Sequence, residues 1–201
     1  MSDCALLTED ETRQVMAPYE DRLAAVLSRA FTRWRSLPPE HALAMSARSR
    51  ASLIHDYIVD EAGAEFAGDG HVTVTHKRGT VVLVFAGKVA VRFKKVSGDS
   101  LRYSVGRTWR QRAIHHQQLA LDGTDVRLTW ATAGWRLNAA GGLAQTALVV
   151  NDGDRQQYAF DLAPADSAEV LALPVRDDDE DGLVIRPAAS ADHAADGAGT
   201  P

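Results

Sequence analysis

A chain of 201 residues that is 45% hydrophobic has length for one fair-sized core with some to spare, and its single cysteine, Cys4, excludes an internal disulfide or a zinc site built on cysteine pairs. The formal charge of −5 conceals a polarity: between His71 and His116 ten of the 22 Lys and Arg residues, all four lysines among them, are set against one carboxylate, Asp99. No apolar run approaches the ~20 residues of a membrane span and the first residues lack the basic and apolar regions of a secretory signal, so the expectation is a soluble, cytoplasmic protein.

Thr8 followed by Glu11 has the spacing of a capping box, so a helix is expected to begin there and to be interrupted at Pro18. Leu23, Val26, Leu27, Ala30, Phe31 and Trp34 then recur at three and four residues, the stripe of a second helical stretch that Pro38 and Pro39 stop. A further helix is expected from about Ser46 to Phe66, with Ala47, Ala51, Ile54, Ile58 and Ala62 on one face, Arg48 and Arg50 near its start, and Gly68-Asp69-Gly70 closing it.

From His71 the period changes to two. Strands are predicted over residues 71–76, 80–85 and 89–96, a three-stranded antiparallel meander whose middle strand, Val81 to Phe85, has no polar face and should be covered on both sides. In the third strand Val89, Val91 and Phe93 point one way and Ala90, Arg92 and Lys94 the other. A helix is expected from Arg107 to Leu119 with Trp109, Ala113, His116 and Ala120 in one stripe. Three more strands follow, about 126–132 continuing into 135–137, then 144–150 and 157–162, with Asn151 to Asp154 a strong hairpin turn.

Together these give an α+β fold: N-terminal helices, the meander, a helix, three further strands around or extending the same sheet, and a tail. The expected divisions are a helical segment 1–45, an α+β core 46–162, and an acidic, largely disordered stretch 163–201. Within that stretch the run Asp177 to Asp181 reads first as a solubilising segment. A sharper reading has it folding back on the Arg92/Lys94/Arg110 region to compete with an anionic partner, or has Leu183-Val184-Ile185 docking on another protein.

A cationic block without interleaved acids is a footprint for something negative, either nucleic-acid phosphates or an acidic protein surface. Lys77, Arg78, Arg92, Lys94, Lys95, Arg107, Arg110 and Arg112 are the residues expected to form it. The plainer reading is a solvated face with lysines that blunt strand edges. No base-reading helix pair, zinc finger or aromatic RNA-binding strand is present in the sequence, and no motif asks for a metal or cofactor. His115 and His116 are adjacent, about 100° apart on a helix, and cannot easily chelate one ion; a packed His116 and an exposed His115 are expected. The four tryptophans are expected in the core, with at most one left for an interface.

The stretch Val89-Ala-Val-Arg-Phe-Lys-Lys-Val96, then Gln117-Gln118-Leu119, then Ala133-Gly-Trp-Arg-Leu-Asn138 resembles a family of uncharacterised bacterial and prophage proteins. Their genes often sit beside helix-turn-helix or ImmA/IrrE-type peptidase genes. The likeness covers roughly residues 50–162. It implies a regulatory or antitoxin-like partner in a mobile-element module, acting on a cognate neighbouring protein or on nucleic acid.

The element order also resembles the core of the PD-(D/E)xK nucleases, which need two or three carboxylates on Mg²⁺ and a nearby lysine. The helix could supply Glu61 or Glu65, but residues 70–98 hold no carboxylate and Arg92-Phe93-Lys94 stands where glutamate should precede lysine. The leading expectation is therefore a non-enzymatic binding or regulatory component, with a divergent nuclease as the alternative.

Overall fold

The computed structural model describes residues 6–77, 80–119, 127–138 and 141–162, with the backbone alone at Lys77. The predicted capping box forms: the Thr8 N–H donates to Glu11 Oε2 at 2.8 Å and the Glu11 N–H to Thr8 Oγ1 at 3.3 Å, starting α1 (Glu9–Met16). Helix α2 (Glu20–Arg35) buries the predicted stripe. Pro39 ends nothing. It occupies the first turn of a short helix, α3 (Pro39–Ala44), where its missing N–H is no loss. Helix α4 (Ala47–Glu65), capped by Ser46, buries Ile54, Ile58 and Ala62.

Six strands follow in one sheet of order β1-β2-β3-β4-β5-β6: β1 (Val72–Lys77), β2 (Thr80–Phe85), β3 (Val89–Lys95), β4 (Thr129–Leu137), β5 (Leu143–Asp152) and β6 (Arg155–Asp161). Helix α5 (Trp109–His115) lies between β3 and β4, and is shorter than the stripe suggested. Both halves of the sheet are antiparallel meanders, and they are joined by a parallel β3–β4 pair, Val89↔Thr129 through Lys95↔Trp135. A parallel neighbour requires a long crossover, which residues 96–128 supply.

Helices α2 and α4 cover one face of the sheet. Their stripes pack on Leu83, Phe85, Val89, Val91, Phe93, Trp135 and Leu148 in one continuous core that takes in α1 through Met16. On the opposite face Val84, Ala90, Leu128 and Trp130 pack with Ile114 of α5, and Val96, Leu101, Ala147 and Val149 form a third cluster. The middle strand of the first meander is therefore covered on both sides, which is why it carries no polar alternation. Each large aliphatic side chain removed from water here contributes about 1.5–3 kcal/mol.

A ladder of arginines fixes the antiparallel alignment of α2 and α4. Arg22 meets Glu65 at 2.9 Å and Asp69 at 2.6 Å, Arg29 meets Glu61 and Glu65 at 2.9 and 2.7 Å, and Arg33 meets Asp60 and Glu61 at 2.6 and 3.0 Å. Burial by itself would raise the Glu65 carboxyl, but hydrogen bonds from Arg22 and Arg29 outweigh it and hold the group below its ordinary 4.5. Asp69 is lowered from 3.8 chiefly by Arg22 and then by the His71 N–H. Lowered carboxylates stabilise the fold above their ordinary values, and that stability is lost as pH falls through the values they hold in the fold. An acid titration followed by circular dichroism should show the loss beginning below pH 4.5, and Arg22→Gln should flatten that limb while leaving the neutral plateau nearly flat.

Candidate functional site

The ladders of the sheet are not all complete. β1 pairs with β2 along both strands, from Val72↔Phe85 to Lys77↔Thr80, and β3 keeps pace with β4 to Lys95↔Trp135. Between β2 and β3 the recorded pairs are Leu83↔Val91, Val84↔Ala90 and Phe85↔Val89. Continuing that register would set Val82 against Arg92 and Val81 against Phe93, but those pairs do not form. The strands diverge, and a cleft of about 670 Å³ opens where the ladder stops.

Side chains from both faces of the sheet line it. Val82, Arg92 and Ile114 belong to the α5 side, whereas Val81, Phe93 and Trp135 belong to the α2/α4 core. The N-terminal half of α4 contributes Arg48, Ser52, His55 and Asp56, and the start of α5 contributes Thr108, Arg110 and Gln111. Arg48, Arg92, Lys94, Lys95 and Arg110 are thus gathered around one opening, and among the described residues that line it Asp56 is the single carboxylate.

The cations are differently held. Arg92 is only 6% exposed; its Nη1 donates to Gln111 Oε1 at 2.9 Å, its Nε to Thr132 Oγ1 at 3.3 Å, and its guanidinium lies 5.2 Å from the centre of the Tyr103 ring. Those partners are neutral, so a charge taken from water is compensated by dipoles. Lys94 is half-buried and its ammonium donates to the Ser104 carbonyl at 3.3 Å, while Lys95 is exposed. Burial, and then the neighbouring charge of Arg92, push the Lys94 ammonium below its ordinary 10.5. His55 is lowered chiefly by burial, partly restored by Asp56 and lowered again by Lys94. An anion in the cleft would relieve each of these penalties. The buried Trp135 ring, 1% exposed, adds an indole N–H that has no acceptor among the described residues.

Of the eight cations expected from the sequence, Arg92, Lys94, Lys95 and Arg110 converge on this cleft. Arg107 and Arg112 are exposed and do not line it. Arg78 and the side chain of Lys77 lie outside the described residues, as does the acidic run 177–181. Arg48 and His55 were not among the eight. Their seven-residue spacing, two turns of one helix, was the available signal.

The histidine expectation is reversed. His115 is buried, 7% exposed, with Nδ1 3.4 Å from the Tyr103 hydroxyl, and His116 is exposed and meets its ring edge-on. The reason is the start of α5: with Thr108 as its cap, Ala113, Ile114 and His115 turn inward and His116 becomes the cap residue at the other end. The same phase leaves Trp109 76% exposed, outside any core. His115 Nε2 sits 3.7 Å from the Asp154 carboxylate, too far for a hydrogen bond, and burial lowers its pKa although Asp154 pulls the other way.

Other residues of the quoted motifs hold the architecture. The Gln117 side-chain amide accepts from the Trp130 N–H at 2.7 Å and donates to the carbonyls of Trp130 and Asn151, while Trp130 Nε1 donates to the Leu119 carbonyl. Gln117, just past the end of α5, therefore pins the crossover to β4 and β5. At Gly134 a Cβ would lie 2.6 Å from Val96 Cγ1, so the glycine before Trp135 is required by the close approach of the third cluster.

Glu61 and Glu65, the carboxylates a PD-(D/E)xK centre would have used, point into the arginine ladder between α2 and α4. Among the described residues no three His, Cys, Asp or Glu side chains come together as a metal ion requires, and no helix is long and apolar enough to cross a membrane. Comparison with protein-family models, curated proteins and solved structures finds no match for the chain.

Proposed function

We propose that this protein is a non-enzymatic binding component that seats an acidic, extended segment of a partner protein in the split between β2 and β3. In the setting suggested by its likeness to prophage proteins, this is the work of a regulatory or antitoxin-like partner. The observation that carries the reading is the convergence of Arg48, Arg92, Lys94, Lys95 and Arg110 on a cleft with apolar walls and, among the described residues, one carboxylate. Arg92 and Lys94, whose hydrogen-bond partners among the described residues are neutral and which lose hydration, favour a ligand that brings both carboxylates and apolar surface.

A polypeptide suits this site better than a duplex. The cleft is a recess of about 670 Å³. A nucleic-acid backbone is neutralised by cations spread over a broad surface, whereas Arg107 and Arg112 stand apart from the recess. The open edges of β2 and β3 also offer an extended chain the backbone groups of a strand, as in strand-addition recognition.

Titration of the intact chain with a fluorescent oligo-aspartate peptide and with a random-sequence DNA duplex separates the two partners. The peptide is expected to saturate and to be displaced by excess unlabelled peptide, with the duplex binding more weakly. Tighter binding of the duplex, with log affinity falling against log salt by roughly 0.9 for each phosphate contacted, would overturn the protein reading in favour of nucleic acid.

A further inference from the structure

Resting on the reading of the split as a seat for acidic polypeptide, we propose that the chain carries its own occupant: the segment Asp177 to Ile185 binds the cleft in cis and competes with the partner. The two surfaces match in chemistry and in order. Asp177-Asp178-Asp179-Glu180-Asp181 offers five carboxylates to a cleft whose rim holds Lys94, Lys95 and Arg48, and Leu183-Val184-Ile185 offers an apolar run to walls that include Val82, Phe93 and Trp135. Val184 and Ile185 favour an extended backbone, the form that edges without a ladder partner accept. The buried guanidinium of Arg92, compensated by neutral groups among its recorded partners, would gain a carboxylate.

The connection is long enough. Fourteen residues, hence fifteen steps along the backbone, separate Leu162, just past β6, from Asp177. Fully extended they reach roughly 50 Å, and as a flexible chain they span roughly 20 Å. β6 lies three strands from β3, about 14 Å at the spacing of a sheet. A linker matched to its span gives an effective concentration on the order of millimolar. Even with a free affinity of only ~0.1 mM, the segment would fill its own site about ten-fold over and weaken an external acidic ligand by the same factor.

The test uses the intact chain beside a full-length variant with Asp177, Asp178, Asp179 and Asp181 changed to Asn and Glu180 to Gln. Zero-length carbodiimide coupling at high dilution is expected to join Lys94 or Lys95 to the 177–181 carboxylates in preference to Lys88, which does not line the cleft. Oligo-aspartate should bind the neutralised variant about ten-fold more tightly than the intact chain, in line with the effective concentration above. Equal affinity in the two chains, or coupling to Lys88 as readily as to Lys94 and Lys95, overturns the cis occupant and leaves the partner-binding reading standing. Failure of oligo-aspartate to bind either chain sinks both.

Discussion

Lys94→Glu combined with Lys95→Glu weakens capture of an acidic peptide by about a hundred-fold. Close charge pairs at interfaces couple by about 1.5 kcal/mol or more each, and each 1.4 kcal/mol is a factor of ten, so two lost attractions reach that size before the new repulsions are added. The fold should tolerate the change. Lys95 is exposed, and the one hydrogen bond recorded from Lys94 is to a loop carbonyl at 3.3 Å. Replacing Lys94 also removes a like charge from beside Arg92. The comparison variant is Arg107→Glu combined with Arg112→Glu, an identical change in net charge away from the cleft, for which affinity should stay within about three-fold once general screening is allowed for. Isothermal titration of both variants with one peptide decides the matter. Equal losses in the two would mean that diffuse charge, and not the split, does the binding.

Phe85→Ala is the substitution with the largest expected cost in stability. Its ring is fully buried, 4.7 Å from that of Tyr19 and 5.4 Å from that of Phe66 in an edge-on contact. Truncating such a side chain removes its transfer energy and leaves a cavity, about 3–5 kcal/mol where a whole domain holds 5–15 kcal/mol. The position matters beyond its volume. Phe85 closes the hairpin to β3, and only three residue pairs hold β2 to β3. Loosening one end of so short a ladder should widen the split, so weaker peptide binding should accompany the lower urea midpoint. Trp109→Ala is the contrasting change: at 76% exposure it should alter the unfolding free energy by no more than about 0.5 kcal/mol and so barely move the midpoint. A urea midpoint for Phe85→Ala within the range of Trp109→Ala would contradict the packing described.

Much of the architecture was legible because its signals are local. The Thr8–Glu11 cap, the Leu23-to-Trp34 stripe and the alternation in Val89 to Phe93 each follow from a few neighbouring side chains. What failed to show depended on partners distant in the chain. Alternation told which way Arg92 points, but not that α5, Tyr103 and Gln111 would cover it. The inward turn of His115 and the exposure of Trp109 came from one register decision at Thr108, which periodicity over a seven-residue helix cannot fix. The parallel joining of β3 to β4 and the early end of the β2–β3 ladder are choices of the whole sheet. The candidate site was half visible: the meander's lysines and Arg92 stood out by charge, whereas Arg48 and His55 reach it from a helix about forty residues upstream.

An unfinished ladder inside a sheet is a template open to any strand, including one from another copy of the same protein. The positive ring around it supplies a defence, since a second molecule presenting the same edge arrives with the same sign of charge and is repelled. Ionic strength therefore acts twice on this molecule. The salt that loosens its grip on an acidic guest also lowers the barrier that keeps its own kind apart.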